Sequence, residues 1–373
     1  MKEILGAEPF YFNQEKKIIK NIGDIIKSGK LSSGKYVVKL EKNFSKVINS
    51  KFSIAVNSGG TGLQIALEAL DVKNKDVLVP TQTFVATANA VIRAGGNPIF
   101  CDIERKTGCL DPNDIIKKIT KKTVGIVFVS MFGIMPKSIL EIKKICKKRN
   151  FFLMEDAAHA HGASINKIKA GTLGDIAVFS LYATKILTTG EGGIITTNKK
   201  NLNDKCLMLR NHGRSLKNSL FEMIGNNFRL SEIQALMGIY QLANLSKSIV
   251  HRNQLAKIYN QRLSNENFFE KLEFYKNAKH SFWRYPLYLN NKINRSQLQK
   301  NLAKKYKIRI TWMYEPLCHL QPIFKNKKKL ELPIAQKAIS QLINLPTHLK
   351  VSTSDAKKIS DSLILECKNL YNG

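Results

Sequence analysis

Asp156 and Lys185 stand 29 positions apart, each just beyond a short apolar run that reads as a strand. Asp156 closes Phe151-Phe152-Leu153-Met154-Glu155 and opens the small-residue stretch Ala157-Ala158-His159-Ala160-His161-Gly162. Lys185 follows Ile176-Ala177-Val178-Phe179 and precedes the glycine-rich Gly190-Glu191-Gly192-Gly193. A lysine amine can hold an aldehyde as a Schiff base, and a buried carboxylate can keep a ring nitrogen protonated so that the ring withdraws electrons. Pyridoxal phosphate needs both. To attack an aldehyde the lysine must be uncharged, far from its ordinary pKa of about 10.4, and a desolvated, cation-rich setting favours that state.

The elements that would position this pair alternate along the first two thirds of the chain. Apolar runs predict strands at 53–57, 76–80, 98–102, 124–130, 151–155, 176–179 and 193–197, with helix-sized stretches at 61–70, 87–94, 112–119 and 136–149 between them. Such alternation implies an α/β fold with a mainly parallel, seven-stranded sheet covered on both faces. Beyond Gly193 longer helices are expected at 231–245, opening on the capping box Ser231-Glu232-Ile233-Gln234, and at 250–263. Strand-like runs from Phe282 onward and helices at 296–306 and 354–369 read as a smaller C-terminal α+β domain. The expected division is 1–248 and 249–373, and the basic run at 325–329 reads as an exposed loop.

Other residues could complete a site. Ser58-Gly59-Gly60-Thr61-Gly62 follows a strand and opens a helix, an arrangement that cradles phosphate; a dinucleotide turn is the rival, but the third small residue of that fingerprint is missing. Asp156 could instead be a helix cap, Lys185 a surface lysine, and Phe84 an ordinary core aromatic. His159-x-His161 beside Glu155 and Asp156 could be read as a metal cluster, but the histidines lie in an Ala/Gly-rich turn with no second ligand set, so no metal is expected.

Taken together, Glu155 to Ala163, Gly174 to Gly193, Arg210 to Gly213, Asn227 to Ala235, the run Pro80 to Ala90 and the late Tyr314-Glu315-Pro316-Leu317-Cys318-His319-Leu320-Gln321-Pro322 resemble, in order and spacing, the DegT/DnrJ/EryC1/StrS family of nucleotide-sugar aminotransferases. The resemblance implies the fold-type-I architecture of pyridoxal 5'-phosphate-dependent transferases and an amino transfer, with glutamate as donor, to a nucleotide-linked keto-sugar in aminosugar or surface-glycan biosynthesis. It implies Lys185 as the Schiff-base lysine and proton carrier, Asp156 as partner of the ring nitrogen, and Phe84 as the aromatic stacked on the ring. Gly60, Thr61 and Ser180 would hold the phosphate. His159, where the family usually has Gln, would hydrogen-bond the ring oxygen. Asn227 would reach the phosphate of the neighbouring subunit's cofactor, making a homodimer with shared active sites. Weaker substrate assignments fall on Ser33, His212, Tyr314 and His319. Related sugar dehydratases replace the lysine with histidine, so Lys185 favours transamination, and a regulator that merely retains the fold is a third, non-enzymatic alternative.

Composition narrows the setting. An apolar fraction of 43%, with 18 Phe and 11 Tyr in 373 residues, suffices for packed cores in two units. No apolar run approaches the ~18 residues of a membrane span, and the chain's start lacks the hydrophobic core of a signal peptide. Six scattered cysteines show neither zinc spacing nor a disulfide framework, and free thiols point to the cytoplasm. The formal charge of +32 raises nucleic acid as a partner, yet the lysines are spread over nearly every segment and no RNA- or DNA-binding motif accompanies them. No nucleic-acid partner is expected, and the basic field would serve to attract an anionic nucleotide-sugar.

Overall fold

A computed structural model describes residues 3–10, 14–324 and 330–372, so the basic run 325–329 lies outside the described residues. Nine strands occupy the first two thirds: β1 Phe52–Val56, β2 Asp76–Pro80, β3 Asn97–Cys101, β4 Thr123–Val129, β5 Phe152–Asp156, β6 Ser164–Ile165, β7 Ile168–Lys169, β8 Ile176–Ser180 and β9 Gly193–Thr197. Seven of them form one sheet in the order β1-β9-β8-β5-β4-β2-β3. Strands β3, β2, β4, β5 and β8 are parallel, and β9 runs antiparallel between β8 and β1. The expected seven-stranded, mainly parallel sheet is therefore present, with each strand within a residue or two of its predicted position.

The pleat sends alternate side chains to two cores. On β2, Leu78 enters one hydrophobic cluster while Val77 and Val79 enter the other; on β5, Leu153 and Met154 divide in the same way. This alternation matters for the acidic pair at the end of β5. Glu155 faces away from Asp156, and its carboxylate accepts hydrogen bonds from the backbone N–H groups of Gly171, Leu173 and Gly174 at 2.9, 2.7 and 2.9 Å. It organises the loop that returns the chain to β8, and is spent there.

Later strands are β10 Phe269–Lys271, β11 Ala278–Lys279, β12 Tyr285–Leu289 and β13 Leu342–Leu345. The antiparallel sheet β10-β12-β13 packs with the helices Leu245–Arg262, Arg295–Tyr306 and Thr353–Asn372 around a separate core that includes Leu255, Leu287, Leu302, Ile343 and Leu363. The boundary expected between 248 and 249 falls within the helix Leu245–Arg262. Strand β11 instead pairs with the short hairpin β6-β7, joining the later part of the chain to the loop after β5. Among the described residues no helix is long and apolar enough to cross a membrane, and all six cysteines are buried and free.

Candidate active site

Ser58, Phe84, Asp156 and Ser180 all lie at or just past the C-terminal ends of strands that point the same way, β1, β2, β5 and β8. In a sheet of this kind ligands bind beyond those ends. A cavity of about 430 Å³ opens there, lined by Gly60, Phe84, Asp156, His159, Ser180 and Lys185 among others. Chain distance thus collapses into one wall.

The glycine-rich turn after β1 is built by local chemistry. Ser58 caps the helix Gly59–Ala69, its side chain accepting from Thr61 N–H at 3.1 Å. The first N–H groups of a helix have no intrahelical acceptor, which leaves those of Gly59 and Gly60 for a ligand. A Cβ on Gly59 would stand 2.9 Å from Ser180 Cβ, so glycine is what lets the turn meet the end of β8. Thr61 is placed otherwise: its N–H is committed to Ser58, its hydroxyl donates to Asn57 Oδ1 at 2.7 Å, and it does not line the cavity.

Asp156 is buried, and burial raises its pKa above the ordinary carboxylate value although Thr87 Oγ1 donates to Oδ2 at 2.8 Å and Ala158 N–H to Oδ1 at 3.2 Å. Desolvation wins over the two hydrogen bonds, so the site favours a cation or a shared proton beside this carboxylate. Lys185 is carried on the turn between β8 and β9, whose neighbours Ile186 and Leu187 are anchored in the core. Burial pulls the Lys185 amine down to about 7, with Asp156 opposing and Arg284 assisting. The uncharged amine that aldehyde chemistry needs is thus within reach at neutral pH.

Trp283, which enters from the segment before β12, closes the lysine side. Its Nε1 donates to Thr184 O at 2.7 Å, its ring stacks on His159 with centroids 3.8 Å apart, and Lys185 Nζ lies 4.2 Å from its ring centre. Burial, aided by Lys185 and Arg284, holds the His159 pKa well below the usual imidazole value, so the ring is neutral. The Tyr314 hydroxyl lies 3.1 Å from His159 Nε2, while Nδ1 is buried without a partner. Tyr314 adopts φ +67°, a conformation uncommon outside glycine, and its ring centre stands 5.9 Å from that of Phe84. Phe84 is not a core residue: it is 57% exposed and faces the cavity.

Besides Thr61, four expected residues stand apart from this wall. Asn227 is exposed on the segment bridged to Asn211, and His212 is exposed at φ +59° beside it. Ser33 lies in a separate groove by the start of the helix Lys35–Ile48. His319 is buried, its Nδ1 2.6 Å from Thr81 Oγ1, and does not reach the cavity. His161, also buried, packs 5.2 Å from Phe179, and among the described residues no group of three or more His, Cys, Asp or Glu is arranged to hold a metal.

Thr87, Trp283 and Arg284 were not marked by the sequence. Thr87 sits in the first turn of the helix Val85–Arg93, and its place after the β2 end is a weak signal. Trp283 is one of two tryptophans in the chain, embedded in an aromatic run that reads as strand alone.

The features of the wall match what pyridoxal phosphate demands: free N–H groups and a serine hydroxyl for a phosphate, a buried carboxylate lacking a full cation partner, an unpartnered imidazole nitrogen, and a neutralised amine. The chain matches the model of the DegT/DnrJ/EryC1/StrS aminotransferase family over residues 13–364. It belongs to that family. This DegT/DnrJ/EryC1/StrS aminotransferase is 35% identical to an uncharacterized Methanocaldococcus jannaschii protein, MJ1066, over 90% of its own chain and 91% of the relative. It is 31% identical to the GDP-perosamine synthase of Escherichia coli O157:H7, over 97% and 98%. Among solved structures, Helicobacter pylori PseC, an aminotransferase involved in the biosynthesis of pseudoaminic acid, matches with a TM-score of 0.91 at 25% identity, covering 99% of this chain and 100% of that one. The fold-type-I architecture expected from the resemblance is borne out, and the protein is a pyridoxal phosphate-dependent transaminase.

Proposed function

We propose that the enzyme moves an amino group from glutamate to the keto group of a sugar carried on a nucleotide, as a step in aminosugar or surface-glycan biosynthesis. The activity, transamination of a nucleotide-linked sugar, accords with family membership and with the relatives' names. The observation that carries the site assignment is that Lys185, Asp156, Ser180 and the Gly59-Gly60 turn, drawn from three strand ends, line one cavity.

When bound, pyridoxal phosphate supplies an aldehyde for the amine to engage and an electron sink for the pair left as a substrate proton departs. In this reading Asp156 would keep a proton on the ring nitrogen, the Gly59 and Gly60 N–H groups with Ser180 Oγ would hold the phosphate, and Phe84 would pack against the ring. Neutral His159, fixed between Trp283 and Tyr314, would donate from its unpartnered Nδ1 to the ring oxygen. Lys185, once free, takes and returns the proton at the substrate carbon, a role its lowered basicity suits.

The pattern also supports a homodimer with shared sites. Asn227 is exposed and lies off its own cavity, and the loop just before it presents Leu220, Phe221 and the 96% exposed Ile224. Six buried free thiols support a reducing, cytoplasmic setting. The division at 248/249 into a cofactor-binding unit and a smaller C-terminal unit is proposed with it, on the strength of the separate C-terminal core. Borohydride reduction of the yellow holoenzyme followed by peptide mapping tests the lysine: the pyridoxyl group is expected on Lys185, and a label on another lysine overturns the assignment. Assay of nucleotide-linked 3-keto and 4-keto sugars with glutamate then tests the substrate class; no turnover of any of them overturns it.

A further inference from the structure

Behind the cavity wall lies a pair of positive charges for which the chemistry above has no use. Arg252 and Arg284 are both buried, and each directs Nη1 to the same acceptor, the carbonyl oxygen of Trp283, at 3.3 and 3.0 Å. Arg252 Nη1 also reaches Phe282 O at 3.3 Å and Thr347 Oγ1 at 2.9 Å. All of these acceptors are neutral. Among the described residues neither guanidinium has a carboxylate partner, and Nε of each is buried without an acceptor. Burial pulls Arg252 to about 9 and Arg284 to about 10, so both keep their charge at neutral pH. Two desolvated like charges are costly, and apolar replacements would fill the same space at less cost.

Arg284 shares a ring with the lysine. Its guanidinium carbon stands 4.6 Å from the centre of the Trp283 ring, and Lys185 Nζ stands 4.2 Å from that same centre. The two cations are therefore at most about 9 Å apart in a largely water-excluded region, close enough to repel. Burial acts most strongly on Lys185, and of the charges facing it Asp156 opposes that effect while Arg284 adds to it. His159 and His161 are neutral, the latter pulled down to about 3 by burial, and burial pushes the Tyr314 phenol up so that it also carries no charge. Tyr182 and Glu191, on the lysine's own loop, are exposed at the cavity wall. Asp156 is the one buried charge of opposite sign.

We propose that Arg284 is a positioning residue for Lys185, holding an unpaired positive charge beside Trp283 that adds to burial, against the pull of Asp156, in keeping the lysine nitrogen uncharged and nucleophilic whenever it is not linked to the cofactor. This rests on the assignment of Lys185 as the cofactor-bearing lysine. Arg252 shares the Trp283 carbonyl with Arg284 and adds a second buried positive charge behind it.

The test uses enzyme loaded with pyridoxamine 5'-phosphate, a form that leaves the Lys185 amine unlinked. Brief acetylation with acetic anhydride across a pH series, read by mass spectrometry against an exposed lysine, gives the titration midpoint of Lys185. A unit charge at this separation, with an effective dielectric of ~20, moves a midpoint by about one pH unit. Arg284→Gln and Arg284→Met, alike in charge but unlike in hydrogen bonding, are each expected to raise the midpoint by that amount and to slow acetylation about fivefold at pH 7. Arg284→Lys, which keeps a cation, is expected to stay near the wild type. A wild-type midpoint near that of an ordinary lysine overturns the proposal, as does an unchanged midpoint in either neutral variant, or a shift in Arg284→Lys as large as theirs. Failure of the underlying assignment is separately visible, because borohydride would then label a different lysine.

Discussion

At the scale of the residue, the site sets burial against charge. Asp156 is raised by desolvation more than Thr87 and the Ala158 N–H lower it, so its carboxylate is completed by a positively charged partner. Asp156→Asn is accordingly expected to fold and bind cofactor yet to lose two to three orders of magnitude in kcat, the scale of an electrostatic contact that strengthens in the transition state. Single-turnover kinetics with the melting temperature as control check this; near-normal turnover removes Asp156 from the role. Asp156 and Lys185 drew notice in the sequence by standing just past apolar strands, whereas Ser180 and Phe84 were marked only by the family resemblance. Trp283 and Arg284 were not marked at all. The contacts of Trp283 with Thr184 and Lys185 cross about a hundred positions and exist only after folding, and a chain carrying 60 Lys and Arg gives no hint of which cation is buried. Thr61 shows the opposite limit: the turn was legible, but which of its N–H groups stay free depends on the Ser58 cap.

At the scale of the element, strong patterns survived and weak ones were lost. The seven core strands are short, largely apolar runs bounded by turn residues, as expected of a sheet buried on both faces. The two-residue strands β6 and β7 leave no periodic trace, and neither did the lysine-rich helices Glu15–Ser28 and Lys35–Ile48 stand out, although Val37, Leu40, Phe44 and Ile48 fall on one helical face. The second of these helices shows how distant elements hold one another. Buried Glu232, in the first turn of the helix Glu232–Ala243, accepts from the N–H groups of Gly34, Tyr36 and Val37 at 3.1, 2.9 and 2.8 Å, capping a helix that carries no cap of its own. Glu232→Ala strands three donors and is expected to cost about 3 kcal/mol, lowering the melting temperature by roughly 5 °C, with Glu232→Gln recovering most of it. Differential scanning calorimetry distinguishes the two, and equal losses in both variants would assign the effect to charge instead of hydrogen bonding.

At the scale of the whole molecule, the question is whether one chain holds a complete site. Mixing inactive Lys185→Ala with inactive Asn227→Asp is expected to restore up to about half of normal activity per heterodimer, because shared sites put both lesions in one site and leave its symmetry mate intact. Heterodimer confirmed by native mass spectrometry without recovered activity would mean that Asn227 serves its own subunit. A different dependence is already written into the single chain. The bond from Trp283 to Thr184 joins the lysine turn to a segment 99 residues further on. During synthesis the chain emerges from its N-terminus, and domains fold as they clear the ribosome. The sheet with its glycine-rich turn can therefore assemble while Lys185 still lacks the Trp283 ring and the guanidinium beside it. On the proposed site, cofactor capture would be a late event in the life of each new molecule, deferred until the last third of the message has been read.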